Sequence, residues 1–199
     1  MTDHIINNFS SPTFGRLDLS AVVDRAISFI LEPANTSSAC SENEQAPRRE
    51  SELMIPRRFT ARRLIEKENN AHFKIIVGTD SEMTTSLTAH FVTAVVVHHV
   101  GHGGVYFWSS LTKPGIKNLR QRMYEEATYS LTTAQRLIDE FKKRELPLDK
   151  ILEIHVDVGQ NGDTKTMIAE ITGMIRGSGF VCKTKPESFG ASNVADRHT

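Results

Sequence analysis

The sequence predicts an α/β fold in which helices flank a mixed sheet of five strands. Three strand patterns succeed one another with short links, and a long helical pattern then leads to a fourth strand pattern. Short links of this kind make the first three strands an antiparallel meander. A right-handed crossover through the long helix lays the fourth strand parallel to the first, at the centre of the sheet.

The N-terminal part of the chain predicts one helix and then a polar stretch. Apolar residues recur at helical spacing over 20–32 and stop before Pro33, which predicts an amphipathic helix that packs on the core as part of an N-terminal segment, 1–32. Residues 33–56 are too polar to offset the entropy cost of their ordering, so we expect a flexible insertion there. A short helix is expected over 57–68.

The three strands of the meander are predicted from composition. Residues 73–77 are almost wholly apolar, as is typical of a strand buried at the centre of a sheet. Residues 91–97 are rich in β-branched side chains, and residues 105–111 come after the turn His102-Gly103-Gly104. Both segments therefore predict strands.

The remaining elements complete a domain over 57–199. An apolar stripe predicts the long helix, and shorter patterns predict the later elements: helix 116–144, strand 151–158, helix 164–176, edge strand 180–185 and a helical turn from 191. With the N-terminal helix packed on this unit, we expect one domain overall.

The composition limits the partners of the protein. The chain has 199 residues with 24 basic and 24 acidic side chains, so any contact with nucleic acid must come from local patches rather than from net charge. Its two cysteines, Cys40 and Cys182, favour a reducing compartment over a disulfide framework. Neither a membrane span nor a signal peptide is apparent in the sequence. We therefore expect a cytoplasmic protein without a membrane partner.

Two aspartates are expected to meet at one edge of the sheet. Asp80 comes after the first strand in Val77-Gly78-Thr79-Asp80-Ser81, and Asp157 comes after the fourth in His155-Val156-Asp157-Val158-Gly159. The carboxyl ends of central parallel strands lie together, at the place where open α/β sheets bind ligands. Alone, each aspartate is typical of a turn, but two ionised carboxylates side by side repel unless one is protonated or a cation binds both. The pair therefore predicts a site for Mg²⁺ or Mn²⁺.

Other polar residues are expected near this pair. Glu126 lies beside the apolar stripe of the long helix, where its side chain can reach a sheet end, whereas Glu125 points about 100° away. His155 shares a strand face with Asp157, as either a ligand or a packed core histidine. Basic residues that precede the acidic helix position could hold a phosphodiester backbone: Lys113, Lys117, Arg120 and Arg122.

Four segments together resemble the YkuK-like family of the ribonuclease H-like superfamily. They are Val77-Gly78-Thr79-Asp80-Ser81, Glu126-Ala127-Thr128-Tyr129-Ser130-Leu131, His155-Val156-Asp157-Val158-Gly159 and Lys185-Pro186-Glu187-Ser188 with Ala191-Ser192 and Ala195-Asp196. The resemblance implies the ribonuclease H-like sheet. It also implies a site in which Asp80, Glu126 (or Glu125), Asp157 and Asp196 are the catalytic residues and the ligands of two Mg²⁺ or Mn²⁺ ions.

These expectations favour a metal-dependent nuclease that hydrolyses nucleic acid. One alternative is a non-catalytic nucleic-acid or protein-binding module, since a fold alone does not confer activity. A lower-ranked alternative is a phosphotransferase, because Gly78-Thr79-Asp80-Ser81 is similar to the first phosphate loop of sugar and acetate kinases. The choices between RNA and DNA and between endo and exo action stay open, as does the oligomeric state, although an exposed strand edge permits a dimer.

Overall fold

The structure is a computed structural model that describes residues 8–31, 73–148, 151–157, 164–188 and 194–199. Its elements in chain order are β1 (Phe9–Ser11), β2 (Gly15–Leu17), α1 (Leu19–Leu31), β3 (Phe73–Thr85), β4 (Thr88–His99), β5 (Gly103–Pro114), α2 (Leu119–Lys143), β6 (Leu152–Val156), α3 (Thr164–Gly177) and β7 (Val181–Thr184). A helical turn covers residues 194–196. The predicted insertion, 33–56, and the predicted short helix, 57–68, lie outside the described residues.

The strands form one mixed sheet in the order β2-β1-β5-β4-β3-β6-β7. Neighbours from β2 to β3 pair antiparallel, whereas β6 is parallel to β3 and β7 is parallel to β6. The predicted meander and the parallel fourth strand are therefore confirmed. The sheet has seven strands rather than five, because β1 and β2 extend it beyond β5. Each of these has only three residues, too few to show an alternating pattern in the sequence.

One face of the sheet, here called the helical face, packs against α1, α2 and α3. Val77 of β3 and Ile154 of β6 lie in one buried cluster with Val22 of α1, Leu137 of α2 and Ile171 of α3. The core of the protein is formed on this side, since side chains alternate along a strand and apolar burial drives the packing of the helices. Among the described residues, no helix is long and apolar enough to cross a membrane.

The opposite face, here called the outer face, is covered in part by the C-terminal turn. A second buried cluster contains Ile76, Val92 and Ala94 of the sheet together with Ala195 of the turn. Ala195 has no exposed surface, so the turn is packed directly on the strands.

The first predicted site residue does not end its strand, which corrects the sequence interpretation. β3 continues past Asp80 to Thr85, and Asp80 itself pairs with Val92 of β4. The polar residues after Asp80 stay extended because β4 supplies their backbone hydrogen bonds, a long-range effect that local hydrophobicity does not reveal. It is β6 that ends here, at Val156. Asp80 thus lies where β3 runs on beyond its parallel neighbour.

Candidate functional site

The parallel register aligns Asp80 with Asp157. Val77 pairs with Ile154, and each aspartate lies three residues beyond its member of that pair. Residues in register on parallel strands point to the same face. Asp80 is two residues from Gly78 and four from Ile76 of the outer-face cluster, so both aspartates belong to the outer face. The register therefore directs both aspartates to the outer face, although β3 does not end at Asp80 and Asp157 lies one residue beyond β6.

Glu126 approaches from α2 on the other side of β3. Only 6% of it is exposed, and its Oε1 accepts a hydrogen bond of 2.5 Å from Ser81 Oγ. Ser130, one helical turn further on, donates to Thr79 Oγ1 at 2.9 Å. Because Thr79 and Ser81 flank Asp80 in the chain, these two bonds fix α2 against the helical face of β3, with Glu126 on the opposite side of the strand from the Asp80 side chain. Glu125 is turned away and pairs with Lys113 at 2.7 Å.

Asp196 is carried by the C-terminal turn. Ala195 anchors the turn in the outer-face cluster, and the His198 ring stacks on Trp108 of β5 with 3.8 Å between centroids and 6° between planes. Together the two contacts hold the turn on both sides of Asp196, whose own side chain is exposed.

The carboxylates act on one another electrostatically. Burial raises the pKa of Asp80, and the charges of Asp157 and Asp196 raise it further, against a hydrogen bond from the Ser81 backbone and the charge of Arg122. Burial likewise raises the pKa of Glu126 to about 7, with further contributions from Asp80 and Asp157. Asp157 and Asp196 are therefore within electrostatic reach of Asp80, and Asp80 and Asp157 are within electrostatic reach of Glu126.

Comparisons with known proteins bear on this arrangement. A family model described as ribonuclease H-like matches residues 60–199. The chain belongs to the ribonuclease H-like family. It is 32% identical over 146 residues to a protein of Bacillus subtilis (strain 168) described as uncharacterized protein YkuK, a match that covers 68% of this chain and 84% of that protein. No solved structure matches the chain. The expected ribonuclease H-like fold and the resemblance to the YkuK-like family are both confirmed.

The carboxylate oxygens of the candidate site suit a hard cation, but they are not already arranged around one. Carboxylate oxygens are the ligands that Mg²⁺ and Mn²⁺ prefer. Within the described ranges, however, no three His, Cys, Asp or Glu side chains are arranged so that they could hold a metal ion. The residues therefore fit a divalent cation in chemistry, and binding one requires side chains of the site to turn.

A lysine supplies the positive charge next to Asp157. The ammonium of Lys185 lies 2.5 Å from Asp157 Oδ1. That hydrogen bond raises the pKa of Lys185, and the charges of Asp157, Asp80 and Asp196 raise it further. Sequence reasoning missed Lys185 and Ser81 as site residues, although both stand inside the motifs that carry the family resemblance. The signal was available: Ser81 comes directly after Asp80, and Lys185 opens the C-terminal motif.

His155 is a packed histidine of the outer face. It is 3% exposed, and its Nε2 lies 3.3 Å from Glu153 Oε2, while Glu153 also accepts from Lys74 at 3.0 Å. Burial lowers the pKa of His155 in spite of the carboxylate, so the ring is neutral near pH 7. The hydrogen bond to Glu153 then places the proton on Nε2.

The basic residues before Glu126 differ in their partners. Lys113 pairs with Glu125, and Arg120 pairs with Glu170 at 2.5 Å. Lys117 and Arg122, in contrast, form no ion pair within the part of the chain that the structure describes. Of the four predicted cations, Lys117 and Arg122 are thus available to bind an external anion.

Proposed function

We propose that this ribonuclease H-like protein hydrolyses phosphodiester bonds of nucleic acid with Mg²⁺ or Mn²⁺ as its cofactor. The catalytic residues are Asp80, Glu126, Asp157 and Asp196. The observation that supports the proposal is the β3–β6 register, which directs Asp80 and Asp157 to the outer face, where the packed C-terminal turn carries Asp196 within electrostatic reach of Asp80. The charges of Asp157 and Asp196 add to the burial that raises the pKa of Asp80, and a bound divalent cation would relieve that repulsion.

Each residue has a distinct task in this proposal. Asp80 of β3 and Asp157, the residue after β6, would hold the ions together with Glu126 and Asp196. When bound, the ions would supply an attacking water of lowered pKa and positive charge for the leaving 3′ oxygen. Ser81 orients the Glu126 carboxylate through its 2.5 Å hydrogen bond. Lys117 and Arg122, which form no ion pair with the residues that the structure describes, favour a phosphodiester as the bound group.

The proposal is tested by Mn²⁺ binding and cleavage in the same preparation. Calorimetry should show Mn²⁺ bound to the wild type, with affinity lost by at least tenfold in Asp80→Asn because the amide removes the central negative charge. Labelled RNA and DNA oligonucleotides should be cleaved by the wild type with Mn²⁺ and left intact by Asp80→Asn. Glu125→Gln, which removes a carboxylate bonded to Lys113, is the matched control and should behave as wild type. A wild type that binds no Mn²⁺ contradicts the proposal.

A second candidate function is a non-catalytic nucleic-acid or protein-binding module. The observation that favours it is the Lys185–Asp157 ion pair, because an internal ammonium can neutralise the acidic site without a metal. Lys185→Ala separates the two functions. For the hydrolase, loss of the competing ammonium raises the affinity for Mn²⁺. For the module, the variant leaves Asp157 without its counter-charge, lowers the free energy of unfolding, and still binds no Mn²⁺.

A further inference from the structure

A groove of about 230 Å³ lies between the β3–β4 hairpin and the start of α2. Its lining combines the apolar side chains Met83, Ile116 and Leu119 with the cations Lys117 and Arg122. We call it the hairpin groove. Arg122 lies four residues before Glu126 on α2, so the two residues share one face of the helix, with about 6 Å between their Cβ atoms. The groove therefore opens next to the carboxylate site.

The walls of the hairpin groove are held by hydrogen bonds of the protein itself. Leu87 O in the β3–β4 turn accepts from Gly115 N at 2.7 Å and from Ile116 N at 3.0 Å. Asn118 caps α2 by accepting from Gln121 N at 2.8 Å, and Gln121 Oε1 accepts from Lys117 N at 3.0 Å. The segment between β5 and α2 is thus tied to both the hairpin and the helix, which makes the groove preformed.

Apolar side chains are exposed around the hairpin groove. Met83 is 36% exposed, Leu119 46% and Leu87, at the tip of the hairpin, 53%. Within the described residues these are three of the five large apolar side chains that stand out as exposed, and the other two are Val100 and Val181. Clustering of such side chains at one place marks a contact surface rather than the scattered exposure of an ordinary protein.

The charges of the hairpin groove point to an anion. Lys117 and Arg122 have no ion-pair partner among the described residues, and the Nε of Arg122 is buried there without a hydrogen-bond acceptor. The guanidinium lies near enough to the site for its charge to act on Asp80 and Glu126. An arginine in this position can hold a phosphate that leads into the carboxylate site.

We propose that the hairpin groove binds an unpaired strand of nucleic acid, with Lys117 and Arg122 at its phosphates and Met83 and Leu119 against its bases. The inference rests on the proposed function, since it names the form in which the substrate reaches the carboxylates. An unpaired strand is favoured because its bases offer open faces to apolar side chains, whereas those of a duplex are stacked inside the helix.

The test measures the binding of a fluorescein-labelled twelve-nucleotide strand by anisotropy in EDTA, where no hydrolysis occurs. The wild type should bind the unpaired strand at least tenfold more tightly than its duplex. Lys117→Ala and Arg122→Ala should each weaken binding and reduce the slope of log K against log salt by about 0.7. Leu119→Ser should weaken binding by about fivefold and leave the slope unchanged, because it removes an apolar contact. Arg120→Ala removes a cation already paired with Glu170 and should match the wild type.

Several outcomes overturn the inference. The first is equal binding of strand and duplex by the wild type. The second is no binding of either, which would leave a protein as the partner of the groove. The third is that the groove variants bind as the wild type does. Lys117 is exposed, so its variant remains informative even where Arg122→Ala disturbs the fold, as checked by circular dichroism. Groove binding without cleavage in Mn²⁺ overturns the hydrolase proposal alone. Cleavage that is unchanged in every groove variant overturns the proposal for the hairpin groove alone.

Discussion

Glu126 is a helix glutamate held in an environment that opposes its charge. It is 6% exposed, and burial raises its pKa from 4.5 to about 7. Its folded pKa therefore lies above the unfolded value, so the folded state binds the proton more tightly. The stability that results is fully present below pH 4.5 and is lost as the pH rises through about 7. A divalent cation that binds the carboxylate would offset this loss.

Replacing Glu126 with glutamine tests this linkage. The amide keeps the shape and can still accept from Ser81, but it does not ionise. Between pH 4.5 and pH 8, urea unfolding in EDTA should show the wild type losing up to about 3 kcal/mol relative to Glu126→Gln. Glu125→Gln should retain the pH dependence of the wild type, since Glu125 is partly exposed and paired with Lys113. Parallel curves for wild type and Glu126→Gln would contradict the account.

At the scale of elements, the position of Asp196 depends on a helical turn that is packed on the sheet. The turn has two anchors, the buried Ala195 and the stacked pair His198–Trp108. Trp108 is the single tryptophan of the chain, so its fluorescence reports directly on this contact. An aromatic pair of this kind contributes about 1 kcal/mol, enough to position a turn without dominating global stability.

His198→Ala should loosen the C-terminal turn and, as a result, weaken Mn²⁺ binding at the site. We expect the tryptophan emission to shift to longer wavelength and the affinity for Mn²⁺ to fall by about as much as in Asp196→Asn, while the free energy of unfolding changes by only about 1 kcal/mol. The matched control is His102→Ala, which removes another stacked histidine, with 4.3 Å to the His99 ring, from the β4–β5 hairpin. Unchanged emission in His198→Ala, or weakened Mn²⁺ binding in the control, would speak against an anchoring role.

At the scale of the whole molecule, the sequence predicts the features that depend on hydrophobic pattern and chain handedness. The apolar runs at 73–77 and 151–156 identify the central strands, and the right-handed crossover makes them parallel, which aligns Asp80 with Asp157. Long-range pairing is not visible in this way. It extends β3 beyond Asp80, and it adds the three-residue strands β1 and β2 to the sheet edge.

The candidate site, like the fold, can be predicted from the sequence only in part. In the sequence, Asp80 and Asp157 stand out because each follows an apolar run and Glu126 because it lies on a helix flank, whereas Asp196 is indicated by the family resemblance. The polar contacts of these residues cannot be read from the sequence, because Lys185 is 28 residues from Asp157 and Ser81 is 45 residues from Glu126. The packing of α2 and of the chain after β7 decides which polar groups meet over such separations. Neither kind of packing produces a periodic pattern in the sequence.

The most direct measurement is a crystal structure of the protein grown with Mn²⁺, with the ion located by its anomalous scattering. We expect an anomalous peak between the Asp80 and Asp157 carboxylates, with the Lys185 ammonium displaced from its 2.5 Å contact. A map in which Lys185 still bonds Asp157, with no anomalous peak near either aspartate, would contradict it.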